Sequence, residues 1–105
     1  MAEPLLARIA CPSLEEARRI GRALIEHRLA ACVHLVPHEA IYRWNGAIET
    51  AAEITLLAKT TQSAFPRLCA QVLQAHSHQL PAITATPITH GHAPFLEWIE
   101  QECAD

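Results

Sequence analysis

The sequence predicts an α+β fold of ferredoxin-like βαββαβ order, with an extended β-hairpin and a C-terminal helix. Three observations predict it. A capped amphipathic helix follows a short apolar strand. Two long strand-like arms flank Asn45-Gly46. A second amphipathic helix leads into a last β-branched strand. In that order the strands form an antiparallel sheet with helices on one face. The 105 residues leave room for one domain, spanning 1–105.

Leu5 to Cys11 is an apolar run of strand length, ended by Pro12. Ser13 and Glu16 read as a capping box, in which the Ser13 hydroxyl takes the Glu16 N–H and the Glu16 side chain reaches back. Leu14, Ala17, Ile20, Gly21, Leu24, Ile25 and Leu29 then recur at helical spacing. In the next strand Cys32, His34 and Val36 face one way, and Val33 and Leu35 the other. Pro37 predicts a kink or bulge, since proline cannot donate to a ladder. Ala40 to Trp44 resume pairing, and Ala40, Tyr42 and Trp44 share a face. Asn45-Gly46 is a strong hairpin turn, because both residues tolerate positive φ. The return arm starts at Ala47, is interrupted by polar Thr50 to Glu53, and continues from Ile54 to Thr60.

Ser63 is the expected cap of the second helix, with Pro66 in its first turn. Phe65, Leu68, Cys69, Val72, Leu73 and His76 form its apolar stripe. Ala82 to Ile88 reads as a strand. Pro94 opens a last helix, with Phe95, Ile99 and Cys103 inward and Trp98 beside them.

Half the residues are hydrophobic and the net charge is −3. An acidic chain with five scattered aromatics offers neither a basic face nor a stacking platform, so nucleic acid is excluded as a partner. No apolar run reaches membrane-spanning length. Acidic Glu3 and a short apolar stretch make a poor secretory signal, so the expected address is cytoplasmic, with Cys11, Cys32, Cys69 and Cys103 reduced. The ribbon outreaches the helices, and a sheet covered on one face needs cover on the other. Self-association through the sheet follows.

Seven histidines are the unusual count. Cys32 and His34 share a strand face, and a thiolate with an imidazole suits copper or zinc. A third ligand would come from His76, His78, His90, His92 or another subunit. The same pair also reads as a small buried thiol beside a hydrogen-bonded histidine. His76, in apolar helix phase, reads as a satisfied helix-end residue. Lys59-Thr60-Thr61 before a helix start suits either an anion or a plain helix entry with a solvated lysine. Glu15-Glu16 and Glu100 to Glu102 read as helix-terminal, solvated charge. No GxSxG or HExxH signature is present, and no enzymatic activity is expected.

The chain resembles the CutA family of divalent-cation tolerance proteins. Leu29-Ala30-Ala31-Cys32-Val33, Ile41-Tyr42-Arg43-Trp44-Asn45-Gly46-Ala47-Ile48-Glu49, Leu57-Ala58-Lys59-Thr60-Thr61, Pro87-Ile88-Thr89-His90-Gly91 and Phe95-Leu96-Glu97-Trp98-Ile99 carry the resemblance. It implies a cytoplasmic homotrimer, similar to PII-type signalling proteins, that binds copper or another divalent metal ion and responds to such ions. By the same resemblance Cys32 and His76 are the metal-site residues. Tyr42, Trp44, Lys59 and Trp98 line or flank an intersubunit cleft. The family pattern His-Pro-Tyr-Glu-x-Pro-Glu here reads His76-Ser77-His78-Gln79-Leu80-Pro81-Ala82. Loss of its tyrosine and carboxylates, with His78 gained, shifts the expectation toward a softer metal such as copper. The alternative function is a PII-like sensor of a small anionic metabolite that acts through a protein partner.

Overall fold

The first strand, β1 (Pro4–Cys11), leads through Ser13 into helix α1 (Leu14–Glu26). The long hairpin pairs β2 (Cys32–Trp44) with β3 (Ala47–Thr61). Helix α2 (Phe65–Ala75), strand β4 (Ile83–Pro87) and helix α3 (Ala93–Glu102) complete the chain. These elements come from a computed structural model that describes residues 3–103. The four strands form one antiparallel sheet in the order β2-β3-β1-β4, the expected ferredoxin-like arrangement.

Alternation along the strands sets the core. Ala7, Ile9 and Cys11 of β1 lie beside Leu56 and Ala58 of β3, all fully buried. Ala17, Ile20 and Leu24 of α1, with Leu68 and Val72 of α2, close over them. Each such Leu or Ile contributes roughly 1.5–3 kcal/mol by leaving water. Gly21 lets α1 approach closely, since a Cβ there would meet Val33 Cγ2 at 3.1 Å.

The hairpin departs from expectation in one respect. Its ladder stays in register from Cys32 opposite Lys59 to Trp44 opposite Ala47, so Pro37 makes no bulge and Thr50 to Glu53 make no break. β2 is an edge strand, where proline is tolerated. The outer ribbon has two strands, so both its faces meet solvent and polar side chains fit there. Asn45 (φ 51°) and Gly46 (φ 80°) form the turn, as both positions of a type I′ turn require.

Three local expectations are corrected. Ser63 does not cap α2; Ala64 occupies the cap position, and its N–H donates to the Thr61 hydroxyl at 3.2 Å. Phe95 does not point inward. Leu96, Ile99 and Cys103 make the inner stripe of α3, while Phe95, 40% exposed, stacks on Trp98 with ring centroids 5.5 Å apart. The third correction concerns Glu16. Ser13 does take the Glu16 N–H at 3.1 Å, but the carboxylate does not reach back and is not solvated. It points across to Ser77.

Candidate functional site

The register gives the sheet a face free of α1 and α2. On it Cys32 lies opposite Lys59, His34 opposite Leu57, Val36 opposite Thr55, and His38 opposite Glu53. Cys32 is half-buried and His34 exposed. The phase expected from sequence places the two on one face, with Val33 and Leu35 against the core. Lys59 shares the Cys32 end of this face. Its neighbours Thr60 and Thr61 spend their hydroxyls structurally, Thr60 donating to Leu29 O at 2.6 Å and Thr61 accepting from Ala64.

His76 stands at the C-cap of α2, 8% exposed. Its Nδ1 accepts the His78 N–H at 3.1 Å. Its Nε2 lies 2.7 Å from the Ala10 carbonyl, which can only accept, so Nε2 carries the proton. Neither ring nitrogen offers a free lone pair in this arrangement. Ala10 pairs with Thr55, and Thr55 with Val36, four residues along from Cys32. At strand spacings that separates Cys32 from the His76 contact by about 16 Å. One chain does not bring these two residues together.

The Glu16 carboxylate accepts from the Ser77 N–H and hydroxyl, each at 3.2 Å, and lies 3.7 Å from Arg19 and 3.6 Å from His76 Nδ1. Burial works to raise its pKa. The two Ser77 donors, with His76 and Arg19, outweigh burial and hold it below the usual value.

At the far end of the open face, the ribbon and the loop after α2 enclose a groove of about 620 Å³. Tyr42, Trp44 and Glu53 line it from the ribbon, and His78 and Leu80 from the loop. Tyr42 and Trp44, expected at a cleft between subunits, here line a groove within one chain. Lys59 does not join them: ten residues of β3 separate it from Glu49, the partner of Tyr42, or about 33 Å. Trp98 lies apart on α3, against Phe95. Glu53 was not singled out from sequence. Its signal was the ribbon register, which the supposed break at Thr50 to Glu53 concealed.

Residues 5–102 match the family model described as CutA1 divalent ion tolerance protein. The chain belongs to the CutA1 family. It is 46% identical over 94 residues to the divalent-cation tolerance protein CutA of Thermus thermophilus, covering 89% of this chain and 91% of that one. The corresponding protein of Archaeoglobus fulgidus is 42% identical over 93 residues, covering 89% and 91%. Among solved structures, CutA1 from Oryza sativa superposes with a TM-score of 0.95 at 31% identity, covering 99% of this chain and 96% of that one.

In this CutA1 chain the described residues contain no cluster of three or more His, Cys, Asp or Glu side chains placed to hold a metal ion. The Cys32 and His34 side chains give a soft donor pair on an open surface, which suits copper or zinc but closes no coordination shell alone. The other cysteines of this CutA1 chain are poor ligands. Burial pushes the Cys11 thiol up to about 11, helped by Glu16 and Glu53, and burial also raises Cys69 and Cys103.

Proposed function

We propose that this chain works as a homotrimer in divalent-cation tolerance, binding copper or another divalent metal ion through Cys32 on the open sheet face. One observation carries the reading. The sheet face that holds Cys32 is free of α1 and α2; among the described residues only α3 reaches its Cys32 end, through Cys103, and the ribbon beyond exposes Ile41 and Ile48 on its other face, each at 69%. Apolar residues at that exposure on a projecting ribbon suit contact with further copies. Assembly would add donors from neighbouring chains to Cys32, completing a shell that one chain leaves open. His76 then acts as the pin that holds the loop, and a donor to the metal only if its hydrogen bonds open. Four free cysteines suit a reducing, cytoplasmic address. No catalytic step enters the proposal.

The mass in solution tests the assembly: light scattering should give three times 11.6 kDa. Calorimetric titration with Cu²⁺ and Zn²⁺ tests the ligand. Wild type should bind and Cys32→Ser should bind far more weakly; equal weak binding by both removes Cys32. The sensor of a small anionic metabolite has less support, because Lys59 is distant from the groove and the carboxylate there is Glu53.

A further inference from the structure

We propose that copies of this chain are joined by an ion pair, in which Lys59 of one copy enters the groove of the next and meets Glu53 there. The pair rests on the homotrimer reading and supplies its closing contact. Glu53, Thr55, Leu57 and Lys59 alternate with the core residues Ile54, Leu56 and Ala58, so they share the open sheet face. The Glu53 side chain is only 12% exposed. A carboxylate so placed is costly without a counter-charge. His38 Nε2 stands 4.0 Å away and shares a 2.6 Å hydrogen bond with the Thr55 hydroxyl. Among the described residues no lysine or arginine lines the groove. Lys59 is half-buried at the other end of the face, and its ammonium has no partner among the described residues. The spacing along β3 separates the two charges by about 20 Å, so they cannot meet within one chain.

Each copy thus carries an unmet acid at one end of the open face and an unmet base at the other, with Val36 and Leu57 between them. Two different patches that fit each other make a heterologous contact, and such contacts close into rings. In a ring of three, every chain gives Lys59 to one neighbour and Glu53 to the other, and no charge is left over. The other cations nearby are committed or misplaced. Arg8 donates to the Thr86 hydroxyl at 3.3 Å, and Arg43 lies with Ile41 on the opposite face of the ribbon. The groove suits a lysine side chain. Ala10, Ala40 and Ala82 keep its floor open, and about 620 Å³ admits the whole side chain. The rings of Tyr42 and Trp44 offer their faces to the methylene stem and the ammonium. In the assembly the groove is then an intersubunit pocket, filled by the neighbouring copy.

A double-mutant cycle on the full-length protein tests the pair: wild type, Glu53→Gln, Lys59→Gln and the double variant. The charge reversal Glu53→Lys and the exchange Glu53→Lys with Lys59→Glu are measured beside them. Light scattering along a guanidinium series reads trimer dissociation, and circular dichroism reads the fold of the subunit. Each glutamine variant should weaken assembly about tenfold or more. The double variant should be little weaker than either single one, and the exchange should recover the assembly that Glu53→Lys alone loses. Residues about 20 Å apart in one chain contribute additively, so coupling between these two arises only across copies. Additive losses, single variants that assemble like wild type, or an exchange no better than Glu53→Lys overturn the ion pair and leave the trimer standing. A wild type that stays a single chain overturns the trimer reading itself.

Discussion

The Glu16 carboxylate accepts both the backbone N–H and the hydroxyl of Ser77, so the first turn of α1 anchors the loop that walls the groove. His76 reinforces the anchor from the same loop by bonding Ala10 of β1. Hydrogen bonds to a charged group are worth about 1.5–3 kcal/mol each. Glu16→Ala loses two such bonds and should therefore destabilise the fold by about 3 kcal/mol or more. Ser77→Ala removes only the hydroxyl and should cost about half as much. Guanidinium denaturation of the three proteins checks the order.

The same anchor sets an acid dependence. Glu16 is held below its ordinary pKa of 4.5 in the fold, so its folded form binds a proton less readily than the unfolded chain. Its stabilisation is present in full above pH 4.5 and drains away as pH falls through the lower folded value. Denaturation midpoints of wild type and Glu16→Gln between pH 3 and 6 should differ most at the upper end and converge toward the lower. A gap that stays constant across the range refutes the anchor.

The ribbon turn offers a conformational test. Gly46 has φ 80°, and a Cβ added there meets nothing within 4 Å. Any loss in Gly46→Ala is thus backbone strain and not a clash, about 1–2 kcal/mol for an L-residue forced left-handed. Asn45 is also left-handed yet tolerates it. Asn45→Gly should therefore be close to neutral. Thermal melts of both variants measure the contrast.

Alternation and capping made most of the fold legible in the sequence. The faces of Cys32, His34, Tyr42 and Trp44 followed from a period of two, and the α1 core from a period of 3.6. Residues whose partners are distant in sequence were not legible. Glu16 looked like surface charge because its acceptor role is fulfilled by Ser77, 61 positions away. Phe95 reads as inward-facing because its neighbours Ile99 and Cys103 are apolar at helical spacing. Only the packing of Ala64 and Ala31 against one side of α3 selects Leu96 instead. Glu53 belongs to a groove whose second wall is a loop, and no periodicity announces a loop's path.

The cysteines divide by environment. Cys11 is fully buried and its thiol is pushed up to about 11, so at pH 8 only about one molecule in a thousand carries the reactive thiolate there. Burial likewise raises Cys103, despite the neighbouring Thr60 hydroxyl, which works the other way. Iodoacetamide on the native protein should leave Cys11 and Cys103 unmodified. Guanidinium should then open all four to labelling, read by peptide mass spectrometry.

Ile41 and Ile48 give the sharpest test of assembly, because they lie on one face of the ribbon, opposite Thr50 and Arg43 respectively. Burying an isoleucine is worth roughly 1.5–3 kcal/mol. A trimer that buries both in every copy should therefore lose much of its affinity in the double variant Ile41→Lys, Ile48→Lys. The lysines meet no core residue of their own chain, since both positions are 69% exposed, so the subunit should stay folded. Light scattering at micromolar concentration should show the variant shifting toward the 11.6 kDa single chain while circular dichroism stays unchanged. An undiminished trimer would leave the interface to the open sheet face around Cys32 and Leu57 alone.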